Sequence, residues 1–435
     1  MPAAVAHVAP LLLLELNELN FEFVERYASR GALPALARLI ETHGVARTRS
    51  EEALAHVEPW IQWFTVHTGK SYAQHGVYRL GDGAAAGAAQ MWESLERRGL
   101  RVGAFSPLNA ANALERPAFF VPDPWTRTAL RAPALLRAAY AAVCQAVGEN
   151  ASGRLSAGSI VRLAAGLAAY AQPRHYAGYL GWALRGLRAR WPRVLFLDRF
   201  LADCFFGLWR GTRPDFATLF LNGAAHLQHH YLFNSAAYGG PHRNPAWYLP
   251  PGVDPVLEVY RLYDRVAAEC LALEPRPRLM IATGLHQDPV AAPVFYWRLR
   301  EHGAFLRRIG CAFTSVEPLM SRDFLVRCAD AAQARASAAR LASGRGADGA
   351  PLFEVDDRGA SLFVTLAYPR DIAPGFAARF EGAEIADLRR EVVFVALKNG
   401  QHNGIGYFLD TGAQAMARAE PIPLAELYAR VQQAF

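Results

Sequence analysis

The chain is 435 residues long, with 52% hydrophobic and 20% charged residues and a formal net charge of +7. That apolar share supports a packed core and excludes a disordered chain; the length accommodates one large α/β domain with insertions, or two ordinary domains. No apolar run reaches about 18 residues, so a membrane-spanning helix is not expected.

Met1–Leu14 has no basic stretch ahead of its apolar run, and Ala9–Leu14 leads straight into Glu15. This start reads as a first core strand and not as a signal peptide. Pro10–Glu15 is thus a strand running into a short polar loop. Phe21–Thr42 follows as a helix, broken at Leu33-Pro34 and resumed over Ala35–Ile40. Arg101–Phe105 is a short strand, and Phe119–Val121 is a strand end running into Pro122-Asp123-Pro124. From 128 to 210 the chain reads as helical and rich in Ala, Leu and Arg, with interruptions near Gly148–Ser156 and at Pro173. Strands at Phe216–Leu221 and Leu279–Ala282 flank an amphipathic helix, Val256–Leu273. Ala332–Gly349 reads as a mobile connection, and Val392–Leu397 as a late strand before a Gly400–Gly406 loop. Strands alternating with helices predict a mainly parallel central sheet with helices on both faces. The expected division is an α/β core of 1–127 and 211–435, with 128–210 as a helical, Arg-rich cap.

Cys144, Cys204, Cys270, Cys311 and Cys328 are scattered, with no C-x-x-C pair. They predict reduced thiols and a cytoplasmic location. Between Arg127 and Arg213, thirteen arginines stand against three acids, Glu149, Asp198 and Asp203. Arginine suits planar, bidentate anions such as phosphate and carboxylate. The same richness also reads as compositional bias, since Lys70 and Lys398 are the only lysines. No recognition motif accompanies the charge, so nucleic acid is not an expected partner.

Four segments place ligand-type residues beside apolar runs: Leu14–Glu18, Glu58–Lys70, Ala225–Tyr231 and Gly400–Ile405. In open α/β sheets, ligands bind beyond the carboxyl ends of the strands. Glu15–Glu18, Asn222–His229, Thr283–His286 and Gln401–Asn403 all follow apolar strands and are therefore expected to converge. His226, His229 and His230 place three imidazoles within five residues, and imidazole is the commonest transition-metal ligand. The structural alternatives are Asn17 or Asn20 as helix cap before Phe21, Glu58 as cap before Pro59-Trp60, and the histidines as satisfied core groups. His67, His75, Trp60 and Trp63 read as structural.

In order and spacing these elements resemble the metal-site skeleton of the alkaline phosphatase superfamily, in its phosphodiesterase and nucleotide-pyrophosphatase branch. Asn17 falls on that family's metal-binding Asp, with Gly31 and Leu33-Pro34 at the downstream spacing. Trp63, Thr68-Gly69 and His75-Gly76 match its nucleophile block. His229 matches the His of its Asp-x-x-x-His pair, with Ala225 at the Asp position. His286 stands one residue out of register for the family's Asp-His, and His402 before Asn403-Gly404-Ile405 matches its closing His. The resemblance implies an alkaline-phosphatase-like α/β fold and one or two divalent ions, zinc first and manganese second. The implied ligands are Asn17, Glu15, His229, His286 and His402, and the implied reaction is hydrolysis or transfer of a phosphate or sulfate ester. The nucleophile position falls at Glu58-Pro59, and neither is a hydroxyl. The expected reaction is thus direct attack without a covalent Ser or Thr intermediate, with Glu58 or Glu18 as base. His226, His230, Gln62 and Asn403 are the expected substrate contacts. The expected partners are an anionic small molecule or a glycan- or lipid-linked substrate, with peripheral membrane contact through the cap. The alternative is a catalytically degenerate relative that binds a glycan or nucleotide, with a role in surface polysaccharide assembly.

Overall fold

The computed structural model describes residues 9–51, 53, 56–148, 156–319, 322–413 and 420–435. They divide into two compact units, the second comprising the described residues of 290–399 and the first the remainder.

The first unit is built on eight strands: Leu11–Leu16 (β1), Ala46–Arg49 (β2), Val102–Phe105 (β3), Phe119–Val121 (β4), Phe216–Leu221 (β5), Arg278–Ala282 (β6), Ile405–Asp410 (β7) and Ile422–Pro423 (β8). Their order is β8-β2-β7-β6-β1-β5-β3-β4. β1 pairs in parallel with β5 and β6, and β3 in parallel with β5 and β4. β7 is antiparallel to β6 and β2. β1 and β5 are buried along their whole length, as a parallel sheet covered on both faces requires. On one face, Trp63, Val66, Trp92, Leu95, Leu427 and Val431 from three helices join Leu11 and Leu13 in one core. Elsewhere helix Trp191–Thr212 packs on β5 and helix Pro255–Leu271 on β1.

The segment expected as a single broken helix forms two, Phe21–Ala28 and Pro34–His43. Asn20 caps the first by accepting from the Glu22 N–H at 2.9 Å, and Pro34 opens the second, where a missing N–H costs nothing.

The Arg-rich region forms helices Ala134–Gly148, Ala157–Tyr170, Tyr176–Gly186 and Trp191–Thr212. The interruption expected near Gly148–Ser156 falls largely outside the described residues; that at Pro173 is a short turn, Pro173–His175. The last helix buries Phe205 against Phe105 and Phe119, with ring centroids 6.2 and 6.0 Å apart. This region therefore packs on the sheet, and the second compact unit comprises the described residues of 290–399.

The second unit has its own core, including Trp297, Phe305, Phe324, Phe353 and Val364. Phe353–Asp357, Ser361–Leu366, Asp323–Arg327 and Ser315–Pro318 form, in that order, a four-stranded antiparallel sheet. The expected mobile connection over Ala332–Gly349 is corrected here: Ala331–Ala342 is a helix, followed by the short strand Arg345–Gly346. Alanine is the best helix former, Asp330 caps the start by accepting from the Gln333 N–H at 2.8 Å, and Ala334, Ser337 and Leu341 are buried.

Asp198 links helix Trp191–Thr212 to helix Gly223–Tyr231. Its Oδ2 accepts from the Gly223 N–H at 2.8 Å and from the Tyr263 hydroxyl at 2.6 Å. Burial pushes its pKa up to about 6, against the opposing pull of these donors. The folded state thus holds this proton more tightly than the unfolded state, whose pKa is near 3.8. Stability from this group falls as pH rises from about 4 to about 6, by roughly 3 kcal/mol. Asp198→Asn is expected to flatten that slope in urea melts across the window. Asp198→Ala is expected to flatten the slope as well and to lose about 2–4 kcal/mol near pH 4, because two buried donors lose their acceptor, with a smaller loss as pH rises to about 6. Parallel pH profiles for wild type and Asp198→Asn would exclude the assignment.

Candidate metal centre

β1 delivers its last residues into the loop that carries the site. The Asn17 N–H donates to the Leu221 carbonyl and the Glu18 N–H to the Thr283 carbonyl, each at 3.0 Å, so the ends of β5 and β6 pin this loop. Glu18 adopts φ 59°, a left-handed conformation that non-glycine residues rarely take. Such strain persists only where surrounding structure enforces it, and it concentrates at functional sites. The Glu18 side chain is buried. Its Oε1 accepts from Asn17 Nδ2 at 3.1 Å and its Oε2 from the Gln287 side-chain amide. Burial raises the Glu18 pKa, while His402 and the two amides pull it down.

Two histidines face this carboxylate. His229 lies on helix Gly223–Tyr231, which follows β5 directly. Its Nδ1 is 3.3 Å from the Gly400 carbonyl oxygen and its Nε2 3.6 Å from Glu18 Oε2. His402 places Nδ1 3.3 Å from Glu58 Oε2 and Nε2 3.5 Å from Glu18 Oε2. The two Nε2 atoms are 3.1 Å apart. Burial, then the neighbouring His402 and His230, hold the His229 pKa well below the ordinary imidazole value. Each Nδ1 faces an acceptor, which favours the tautomer protonated there; in that tautomer the Nε2 lone pairs are directed at each other and at Glu18. Such a grouping calls for a cation.

The spacing fits one. A tetrahedral ion with ligand bonds of about 2.0–2.1 Å holds neighbouring ligand atoms about 3.3–3.4 Å apart. The three distances here are 3.1, 3.5 and 3.6 Å. Glu58, at the N-cap of helix Pro59–Thr68, orients His402, and the Gly400 carbonyl orients His229. Carboxylate and carbonyl partners of this kind fix the tautomer of ligating imidazoles. Beside His402 opens a cleft of about 410 Å³, with Arg49, Ser50, Glu51 and Asn403 among its lining residues.

The other expected site residues lie around this centre. Trp63 Nε1, which can only donate, is 2.7 Å from Asn17 Oδ1, so the Asn17 oxygen is engaged there. Asn17 Nδ2 donates to Asn222 Oδ1 at 2.8 Å as well as to Glu18. Asn17 thus orients Glu18. Glu15 points into the sheet core: His67 Nε2 is 3.1 Å from its Oε1, and the Thr218 hydroxyl donates to the same oxygen at 2.6 Å. His286 places Nδ1 2.5 Å from the Ile405 carbonyl oxygen and Nε2 3.3 Å from Asp288 Oδ1. Asp288 Oδ2 accepts from Asn403 Nδ2 at 2.6 Å. The His286 hydrogen bond, then that of Asn403, keeps the Asp288 pKa below its ordinary value. Gln62 is buried and donates to the His56 carbonyl at 2.5 Å. The His226 and His230 rings lie 5.1 Å apart, and burial pushes the His226 pKa down to about 3, so that imidazole is neutral.

Sequence reasoning named Asn222 only as the start of a polar cluster and did not single out Gln287, Asp288 or the role of Trp63. Gln287 and Asp288 directly follow His286, but Gln-Asp after a histidine is an ordinary pair until the fold brings Glu18 beside it. Among the described residues a second grouping of metal-capable side chains is His175, Asp203 and Glu269. There the buried Arg199 guanidinium is 2.9 Å from each carboxylate, so a cation already occupies the position an ion would take. This grouping is an ion-pair network that ties helices together.

Asn17→Asp tests the orienting role. The substitution replaces a donor facing two acceptors, Glu18 and Asn222, with a third acceptor. In chelator-treated protein near pH 8 it is expected to cost about 2–3 kcal/mol in urea melts. The deficit should shrink at acidic pH as the new carboxyl takes a proton. An unchanged midpoint would rule out this arrangement of the Asn17 amide.

No protein-family model matches the chain, and no curated protein matches it. Among solved structures it is similar to phosphonoacetate hydrolase from Sinorhizobium meliloti 1021 in complex with phosphonoformate, with a TM-score of 0.45 and 13% identity over 98% of this chain and 96% of that one. It is also similar to human ectonucleotide pyrophosphatase/phosphodiesterase 5, with a TM-score of 0.43 and 10% identity over 98% of this chain and 94% of that one. An inactive substitution variant of the murine protein of the same name, in complex with AMP, gives a TM-score of 0.45 and 9% identity over the same shares.

Proposed function

We propose that this chain is a metal-dependent hydrolase or transferase acting on a phosphate or related ester, with one divalent cation held by Glu18, His229 and His402. The observation that carries the reading is the approach of two imidazole lone pairs and a buried carboxylate to within 4.8 Å of one another. Two nitrogens and one oxygen, with the fourth position open, form a donor set found in catalytic zinc sites. Manganese is the second choice, because carboxylate and imidazole also suit it. When bound, such an ion supplies Lewis acidity toward a phosphoryl oxygen and acidifies water.

The chain's own residues divide the remaining work. Asn17 and Gln287 hold Glu18 in place, and the Gly400 carbonyl holds His229. Glu58 keeps the His402 proton on Nδ1 and remains about one-third exposed, so it can take a proton from an attacking water or alcohol. Arg49, in the cleft beside His402, offers a planar double donor to an anionic substrate. Glu58-Pro59 opens the helix where the related pattern has a hydroxyl, which supports direct attack without a phosphorylated Ser or Thr. Five free cysteines support a reducing, cytoplasmic setting.

Metal analysis by plasma mass spectrometry, beside turnover of bis-p-nitrophenyl phosphate, tests the reading. Wild type should carry about one equivalent of zinc or manganese, and His229→Ala and His402→Ala should each lose it. Glu58→Gln should retain metal while turnover falls by about 100-fold or more. Absence of metal after incubation with either ion would overturn the proposal. Metal without turnover of any phosphoester would move the assignment to a ligand-binding relative.

A further inference from the structure

The helices inserted between β4 and β5 carry a surface that the proposed centre does not use. Helix Tyr176–Gly186 is apolar around most of its circumference. One side, with Tyr179, Trp182 and Gly186, is buried. Tyr179 packs on Phe196 with ring centroids 5.0 Å apart, and its hydroxyl donates to Asp203 at 2.8 Å. The opposite side bears Tyr176, Leu180, Leu184 and, just beyond the helix, Leu187. Their spacing of four, four and three residues is that of a single helical face. These side chains are 49, 62, 58 and 79% exposed. Ile160 and Val161, on helix Ala157–Tyr170, are 56 and 68% exposed. A helix that is hydrophobic all round belongs in a protein interior or in lipid. Half of this one faces solvent.

Charge selects the occupant. From Ser156 to Leu197 there is no Asp or Glu, while six arginines are present. Arg174 is held by Glu269 at 3.3 Å and Arg193 by the Gly186 carbonyl at 2.9 Å. Arg162, Arg185, Arg188 and Arg190 are exposed. A second copy related by a two-fold axis would bring this cationic surface against itself, which is repulsive. Leucines flanked by arginines, without acids, suit a lipid interface. The aliphatic chains enter the acyl boundary and the guanidinium groups meet headgroup phosphates.

We propose that the face formed by Tyr176, Leu180, Leu184 and Leu187 docks this protein onto a bilayer surface carrying anionic phospholipids. The contact is peripheral, because no helix among the described residues is long and apolar enough to cross a membrane. It stands independently of the metal centre.

Vesicle flotation of the full chain tests it. The probes are phosphatidylcholine vesicles with and without phosphatidylglycerol. Wild type should float with the anionic vesicles and remain behind with pure phosphatidylcholine. The double variants Leu180→Glu/Leu184→Glu and Arg185→Glu/Arg188→Glu should each lower the bound fraction by about 10-fold or more. Raising salt from about 0.05 to about 0.5 M should also release the protein. All four positions are exposed, and circular-dichroism melts should confirm that both variants fold. Wild type that fails to float at low salt, or leucine variants that float equally well, would overturn the proposal. So would a wild-type dimer that the leucine variant dissolves, since a second copy would then cover the face.

Discussion

A carboxylate shut away from water must be surrounded by donors or cations, because burial removes the solvent that stabilises its charge. Glu18 is that carboxylate, and much of the local structure exists to accommodate it. Two side-chain amides, from Asn17 and Gln287, donate to it, and two imidazole nitrogens face it. Its left-handed backbone is enforced by hydrogen bonds from the loop to the ends of the two neighbouring parallel strands. Without a parallel sheet whose strands finish level, these groups would not meet.

The support extends outward through satisfied buried polar groups. Gln228 Nε2 donates to the Glu18 carbonyl at 2.8 Å, and its Oε1 accepts from the Tyr260 hydroxyl at 2.9 Å. Tyr260 in turn accepts from the Asn20 N–H at 2.9 Å. One phenol and one amide thus join the loop after β1, the helix bearing His229 and the helix Pro255–Leu271. Tyr263, one turn further along, meets Asp198 and the first residues of the His229 helix. Sites held on rigid elements by such bonds keep their ligand geometry within tenths of an ångström. The helical region expected as a cap therefore braces the centre from behind through Asp198.

Much of this was legible in the residues. Continuous apolar runs marked β1 and β5, because a strand covered on both faces has no polar side. Polar clusters after those runs marked the end of the sheet where Glu18, His229 and His402 gather. Less legible was which member of each cluster turns inward. Glu15 and Glu18 are three residues apart, yet one faces His67 in the sheet core and the other faces the histidines; the positive φ at Glu18, which decides this, leaves no signature in a Glu codon. Asn17 resembled a ligand by position, but the Trp63 indole engages its oxygen. The Ala, Gly and Arg of Ala332–Gly349 suggest a connection by composition, whereas the alanines lie together behind an Asp cap and form a helix.

By itself the sequence determined most strands and helices of the first unit, the mainly parallel central sheet and the polar clusters that follow its apolar strands. These depend on hydrophobic period, propensity and residue chemistry, all of which are local. Tertiary structure decided which groups meet: Glu18 and His402 are far apart along the chain, and only pairing of strands brings their side chains to 3.5 Å. It also decided that the Arg-rich region packs on the sheet while 290–399 forms a unit of its own. Burial and contact are properties of the whole fold, and no local window of sequence contains them.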